Sequence, residues 1–170
     1  MQTKRLVLLS ILLAVSVVLN IVERVAIGGL TGLPMVRLGL ANIVILIVLY
    51  IYTVKDAFTL LILRIFLVGL FTALFSPTFW LSLGGGLLAF LLMVIFKKLR
   101  VFTVISVSVM GSFGHAVGQI LTAIFLLSTQ ELIAYLPVLI ALSIPTGIFT
   151  GLISKRLITI LENNIAVEHY

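Results

Sequence analysis

The chain contains no cysteine. Disulfides, thiolate metal sites and cysteine nucleophiles are therefore excluded. Its two histidines, His115 and His169, are too few to build a metal centre, and neither a metal nor a cofactor is expected. Charge is scarce, at 9% of residues, where a soluble domain carries roughly 25%. Acid is scarcest: there are five acidic residues, and Asp56 is the one aspartate. No paired carboxylates exist to hold Mg²⁺ on a diphosphate or to act as an acid/base couple. There is no G-x-x-x-x-G-K-[ST] string. The run Gly84-Gly85-Gly86 lacks the lysine, so nucleotide binding in the P-loop manner is excluded. These absences point away from an enzyme.

Apolar residues dominate what is present. The 170 residues are 62% hydrophobic, with a mean hydropathy of +1.39. So little polar surface requires lipid as the solvent. The length suits one domain, residues 1–170. Six apolar stretches predict spans at Leu6–Ile27, Leu38–Tyr52, Ala57–Phe75, Trp80–Phe96, Val101–Leu127 and Ile133–Ile153. The second and fourth are short. The fifth is long and interrupted by glycine, which predicts a tilt or kink. The triple glycine predicts an unwound first turn in the fourth. The basic Lys4 and Arg5 before the first run resemble a signal peptide, but the run is too long and lacks a clear cleavage site, so a retained helix is expected. Continuous apolar runs exclude a membrane barrel, whose strands would alternate. The expected fold is an all-α bundle of six transmembrane helices.

Six spans place both termini on one side. That side carries Lys4, Arg5, Lys55, Lys97, Lys98, Arg100, Lys155 and Arg156, while Arg24 and Arg37 lie near the other. The bias assigns both termini to the cytoplasm. Basic residues at helix ends, not in one patch, also argue against a nucleic-acid reading of the +6 net charge.

Polar groups inside the spans are the candidate site. An ionisable side chain deep in a bilayer costs a few kcal/mol or more. Arg64, within the third span, is the clearest; its ordinary alternative is to cap carbonyls of a neighbouring helix. Arg37 opens the second span, where a snorkelling arginine is also ordinary. Glu23 and Arg24 near the outer end of the first span suit structural pairing as well as function. His115 and Gln119, spaced i, i+4, share a face of the fifth helix, with Gly111 and Gly118 nearly on that face. Interhelical hydrogen bonding explains Asn20 and Asn42 adequately. A cavity formed from these groups would be net positive and suit a phosphate or carboxylate. The small-residue pairs Gly114/Gly118, Gly147/Gly151 and Ser10/Ala14 permit close helix packing. The two halves do not repeat each other, against an inverted-repeat transporter.

Four strings in order resemble one bacterial family: Leu38-Gly-Leu-Ala-Asn42, Ser82-Leu-Gly-Gly-Gly-Leu-Leu-Ala-Phe-Leu-Leu-Met93, Gly111-Ser-Phe-Gly-His115-Ala-Val-Gly-Gln119 and Tyr135-Leu-Pro-Val-Leu139. The family is the Gx transporter family, also labelled heptaprenyl diphosphate synthase component I, and the resemblance covers nearly the whole chain. That family is similar to the substrate-binding S components of energy-coupling factor (ECF) transporters. The resemblance implies a six-helix protein of the bacterial cytoplasmic membrane. It implies a vitamin-, flavin- or isoprenoid/quinone-related ligand held near the outer face. It also implies partners: a transmembrane coupling subunit and ATPase subunits. The candidate ligand residues are Arg37, Asn42, Arg64, His115 and Gln119. An Ala-x-x-x-Ala-like docking motif would fall on Ser10 and Ala14, which match its spacing but not both identities. The synthase label finds no aspartate-rich metal motif here. Its alternatives are an accessory subunit of prenyl diphosphate or quinone synthesis, and a subunit of a redox complex.

Overall fold

The computed structural model describes residues 2–31 and 39–167, with side chains over 3–23 and 39–163. The described residues form helices and no strand. They are α1 (Gln2–Thr31), α2 (Ala41–Ile51), α3 (Val54–Thr72), α4 (Pro77–Lys98), α5 (Val104–Leu127) and α6 (Leu136–Val167), with a 3₁₀ turn at Gln130–Tyr135 before α6. The all-α reading holds. Four helices are long and apolar enough to cross a membrane: those containing Thr3–Glu23, Pro77–Lys98, Val104–Leu127 and Gln130–Asn163. Large apolar side chains such as Phe71, Leu121, Phe125 and Phe149 stand exposed on the outside, where lipid would cover them.

Local chemistry sets the boundaries. The Thr53 hydroxyl accepts from the Asp56 amide, and the Asp56 carboxylate accepts from the Thr53 amide, a reciprocal cap that starts α3. Ser76 caps α4 by accepting from the Phe79 amide, with Pro77 as the first helical residue. Thr103 accepts from the Ser106 amide at the start of α5. The fourth helix is therefore longer than the expected Trp80–Phe96: its 22 residues rise about 33 Å, enough for a hydrocarbon core of about 30 Å.

One expectation about glycine is corrected. Gly84, Gly85 and Gly86 do not unwind α4; they lie in its interior. Helical structure in α5 likewise runs through Gly111, Gly114 and Gly118 without interruption. The glycines serve packing. A Cβ on Gly118 would stand 2.5 Å from the Gly84 carbonyl oxygen, and one on Gly114 would stand 3.0 Å from that of Leu88. α4 and α5 thus approach backbone to backbone and share the most extensive contact in the bundle. Gly147 and Gly151 bring α6 onto Val109 and Ile105 of α5 in the same way. A glycine's loss of helix propensity, about 1 kcal/mol, is offset by this contact.

The short α2 is the central element. Nine of its eleven residues are buried, and at about 16 Å it cannot cross a bilayer alone. Its Val44, Ile45, Val48 and Leu49 join Leu60, Leu61 and Ile65 of α3, Phe90 and Met93 of α4 and Val107 of α5 in the main apolar cluster. One consequence governs the site: α2 begins inside the bundle, so the unsatisfied amides of its first turn lie away from bulk water.

Candidate functional site

Those amides have a specific partner. The Glu23 carboxylate accepts from the Gly39 amide at 2.6 Å and from the Leu40 amide at 3.1 Å. Glu23 is 4% exposed. A carboxylate at a helix N-terminus meets both free amides and the positive pole of the helix dipole. Gly39 makes the turn possible: its φ of +75° is a left-handed conformation that favours glycine. Glu23 thus ties α1 to the entrance of α2, a structural role of the kind weighed for it from sequence.

Next to this junction lies the buried arginine. Arg64, 3% exposed on α3, donates from Nη1 to the Asn42 Oδ1 of α2 at 3.4 Å. Asn42 Nδ2 is buried and has no hydrogen-bond partner among the described residues. Arg64 sits about 12 Å along α3 from Asp56, the polar start of that helix. Gly86 of α4 lets that helix close on α3 here: a Cβ there would stand 3.2 Å from Leu61 Cδ1 and 3.3 Å from Ile65 Cδ1.

Arg64 also lines a small internal void, together with Asn20, Gly69, Phe79, Ser82 and His115 among others. The void therefore gathers side chains from α1, α3, α4 and α5. His115 and Ser82 are each 7% exposed, and the Ser82 hydroxyl donates to the Thr78 carbonyl at 2.8 Å. The volume is about 10 Å³, the space of one water molecule. Phe79 closes one side: it is 3% exposed, and Gly69 is the glycine it packs against, with a Cβ there only 2.9 Å from Phe79 Cδ2. Phe79 in turn belongs to an aromatic group with Phe66, Phe75 and Trp80, centroids 5.6 Å from it in each case. The arrangement is a small void with polar side chains beside an aromatic group.

The expected site residues divide accordingly. Arg64 and His115 line one void, and Asn42 is bonded to Arg64 behind it. Gln119 is buried one turn from His115, but it faces Gly85, where a Cβ would stand 2.7 Å from its Cγ, and is not part of the lining. Arg37 lies outside the described residues, as does His169; the side chain of Arg24 lies outside the described side chains. Ser82, Gly69 and Phe79 were not singled out from sequence. Serine at α4 spacing and phenylalanine in an apolar run carry no local signal; Asn20 did, as a polar group in the first span. Ser10 and Ala14 are both exposed on the outer face of α1. Among the described residues no group of three or more His, Asp or Glu side chains could hold a metal.

A family model described as heptaprenyl diphosphate synthase component I matches residues 12–157. No curated protein and no solved structure matches the chain.

Proposed function

Because the chain belongs to the heptaprenyl diphosphate synthase component I family, we propose that it is a membrane-embedded binding subunit and not itself an enzyme. In this reading it is the substrate-binding component of an ECF-type transporter in a bacterial cytoplasmic membrane, with both termini cytoplasmic. A coupling subunit would dock on the α1 face bearing Ser10 and Ala14, and separate ATPases would supply the energy. The ligand is small and anionic, of a vitamin-, flavin- or isoprenoid/quinone-related kind. Arg64 is its main anchor, with His115, Asn42 and, from the outer side, Arg37 as further polar contacts. Gln119 supports the face that carries His115.

One observation carries the reading: a buried arginine on α3, bonded to Asn42, faces a void that also receives a histidine and a serine. An arginine fork beside a histidine and a serine suits a phosphate or carboxylate ligand. The same geometry requires movement, because about 10 Å³ admits no organic ligand. Displacement of Phe79 from Gly69 is the shortest route to a larger pocket. In a binding subunit, such opening is the step that partner ATPases would drive.

The test is mass spectrometry of small molecules that stay with the protein purified in mild detergent. Retention of one anionic compound by wild type, lost in Arg64→Ala while the folded yield is unchanged, supports the reading. A protein that stays empty after exposure to cell extract argues against it. The family's description favours a second reading, a non-catalytic membrane subunit of prenyl diphosphate synthesis. That reading predicts co-purification with a soluble prenyltransferase and no coupling subunit. A redox-complex subunit predicts neither.

A further inference from the structure

A second cavity lies at the opposite end of α4 from the aromatic group. It has a volume of about 250 Å³ and is lined by Val54, Val94, Lys97, Lys98 and Arg100. No carboxylate is among its lining residues. The nearest acid in sequence, Asp56, is engaged by Arg5 and by Thr53. The cavity thus concentrates three cations over an apolar floor of two valines.

Two of its walls are held in place. Lys97 donates to the Leu49 carbonyl and stands 4.9 Å from the centroid of the Tyr50 ring. Its ammonium is fixed, not swinging in solvent. Val54 is the first residue of α3, so this wall is fixed by the reciprocal Thr53/Asp56 cap of that helix. Arg100 is placed by unusual backbone geometry. It follows the end of α4 with φ +54°, and its amide donates to the Lys97 carbonyl at 3.3 Å. Glycine is the usual residue at such a position, because it adopts positive φ without steric cost. Lysines at a helix C-terminus are explained by the helix dipole alone. An arginine in a glycine position, closing a cavity already lined by two lysines, is not.

The surroundings specify the rest of the ligand. Phe58, one turn along α3 from Val54, meets Phe90 of α4 with centroids 5.6 Å apart. Phe58 of α3 and Leu91 and Ile95 of α4 are large apolar side chains left exposed.

We propose that this cavity binds the phosphate or diphosphate headgroup of an amphiphile whose apolar tail lies along α3 and α4. Arg100 supplies a planar fork for the phosphate oxygens, and Lys98 and Lys97 supply point charges. The site is separate from the Arg64 void and does not depend on that void's function.

The experiment is native mass spectrometry of the full chain released from detergent. The probes are phosphatidylglycerol, phosphatidylcholine, farnesyl diphosphate and inorganic pyrophosphate, each added alone. The expected result is retention of an anionic phosphate amphiphile over phosphatidylcholine. In Lys98→Gln/Arg100→Gln that retention falls about tenfold or more, while Lys155→Gln/Arg156→Gln, with the same loss of charge, retains it. Preference for farnesyl diphosphate over phosphatidylglycerol would identify an isoprenoid source and the reverse a bilayer lipid, and each supports the proposal; pyrophosphate retained as well as either amphiphile overturns the role of the tail. Equal retention of phosphatidylcholine, or equal loss in the Lys155/Arg156 control, overturns the proposal. Arg100→Gly removes doubt about folding, because glycine suits the backbone there. It is expected to raise the unfolding temperature and to weaken binding together; unchanged binding in that variant overturns the role of Arg100.

Discussion

Arg64 and Arg5 are the same residue in two solvents. Arg64 is 3% exposed and donates to the neutral Asn42. Arg5, with a side chain 45% exposed, pairs with Asp56 and lies 5.7 Å from the Tyr52 ring centroid. At the wet end of the bundle, water screens each charge and pairing is worth little. In the interior, each polar group depends on a named partner, and the loss of one partner exposes the full desolvation cost of the other. The two cavities follow the same division. The interior void is closed down to about 10 Å³, whereas the basic cavity stays near 250 Å³.

The contrast can be broken most sharply at Glu23. Glu23→Ala leaves the buried Gly39 and Leu40 amides without their acceptor, at about 1–3 kcal/mol for each group. Thermal unfolding in detergent should show a large drop, with Glu23→Gln intermediate. A drop no larger than that of a surface variant would mean that water reaches the start of α2. Gly118→Val comes next, since its Cβ would meet the backbone of Gly84 and Gly85 at 2.5 and 2.9 Å. Overpacking of this kind costs about 1–3 kcal/mol, read as a lower unfolding temperature and loss of monodisperse protein on gel filtration.

The wet end should respond least. Asp56→Asn is expected to cost about 0.5 kcal/mol at neutral pH. Its pH dependence has a definite sign. Burial pushes the Asp56 carboxyl up, but hydrogen bonds from Thr53 and the pairing with Arg5 outweigh this and leave it below its ordinary value. The stabilisation is therefore complete above the ordinary aspartate range. It fades as the pH falls below about 4 toward the depressed folded value. Unfolding of wild type and Asp56→Asn followed from pH 7 to 3 should converge at the acid end. Curves that stay parallel would rule out Asp56 as the source.

The helices were legible as apolar runs, although among the described residues four and not six are long and apolar enough to cross a membrane. Their boundaries were less so. Thr53, Ser76 and Thr103 are polar residues beside apolar runs, and only their bonds to amides three residues on mark them as helix starts. The sixth helix continues past Ile153 to Val167, because a helix leaving a bilayer need not remain apolar. The glycines misled for a different reason. In water glycine weakens a helix, but here the close α4–α5 contact depends on it. Arg64 and His115 announced themselves by their cost in lipid. Glu23 reaches its amides across 16 residues of separation, and Ser82 joins Arg64 and His115 only when three helices are packed together. No local pattern encodes such convergence.

The account rests on an interior polar pocket that is closed at rest and opens to take a ligand. The absence of native cysteine makes a direct test possible with Ser82→Cys, whose thiol would face the void. The account predicts slow labelling of the folded protein in native membranes by a membrane-impermeant maleimide added from outside, and protection by whatever compound the wild type retains. A thiol that stays unlabelled at every time, while unfolded protein labels fully, would contradict it.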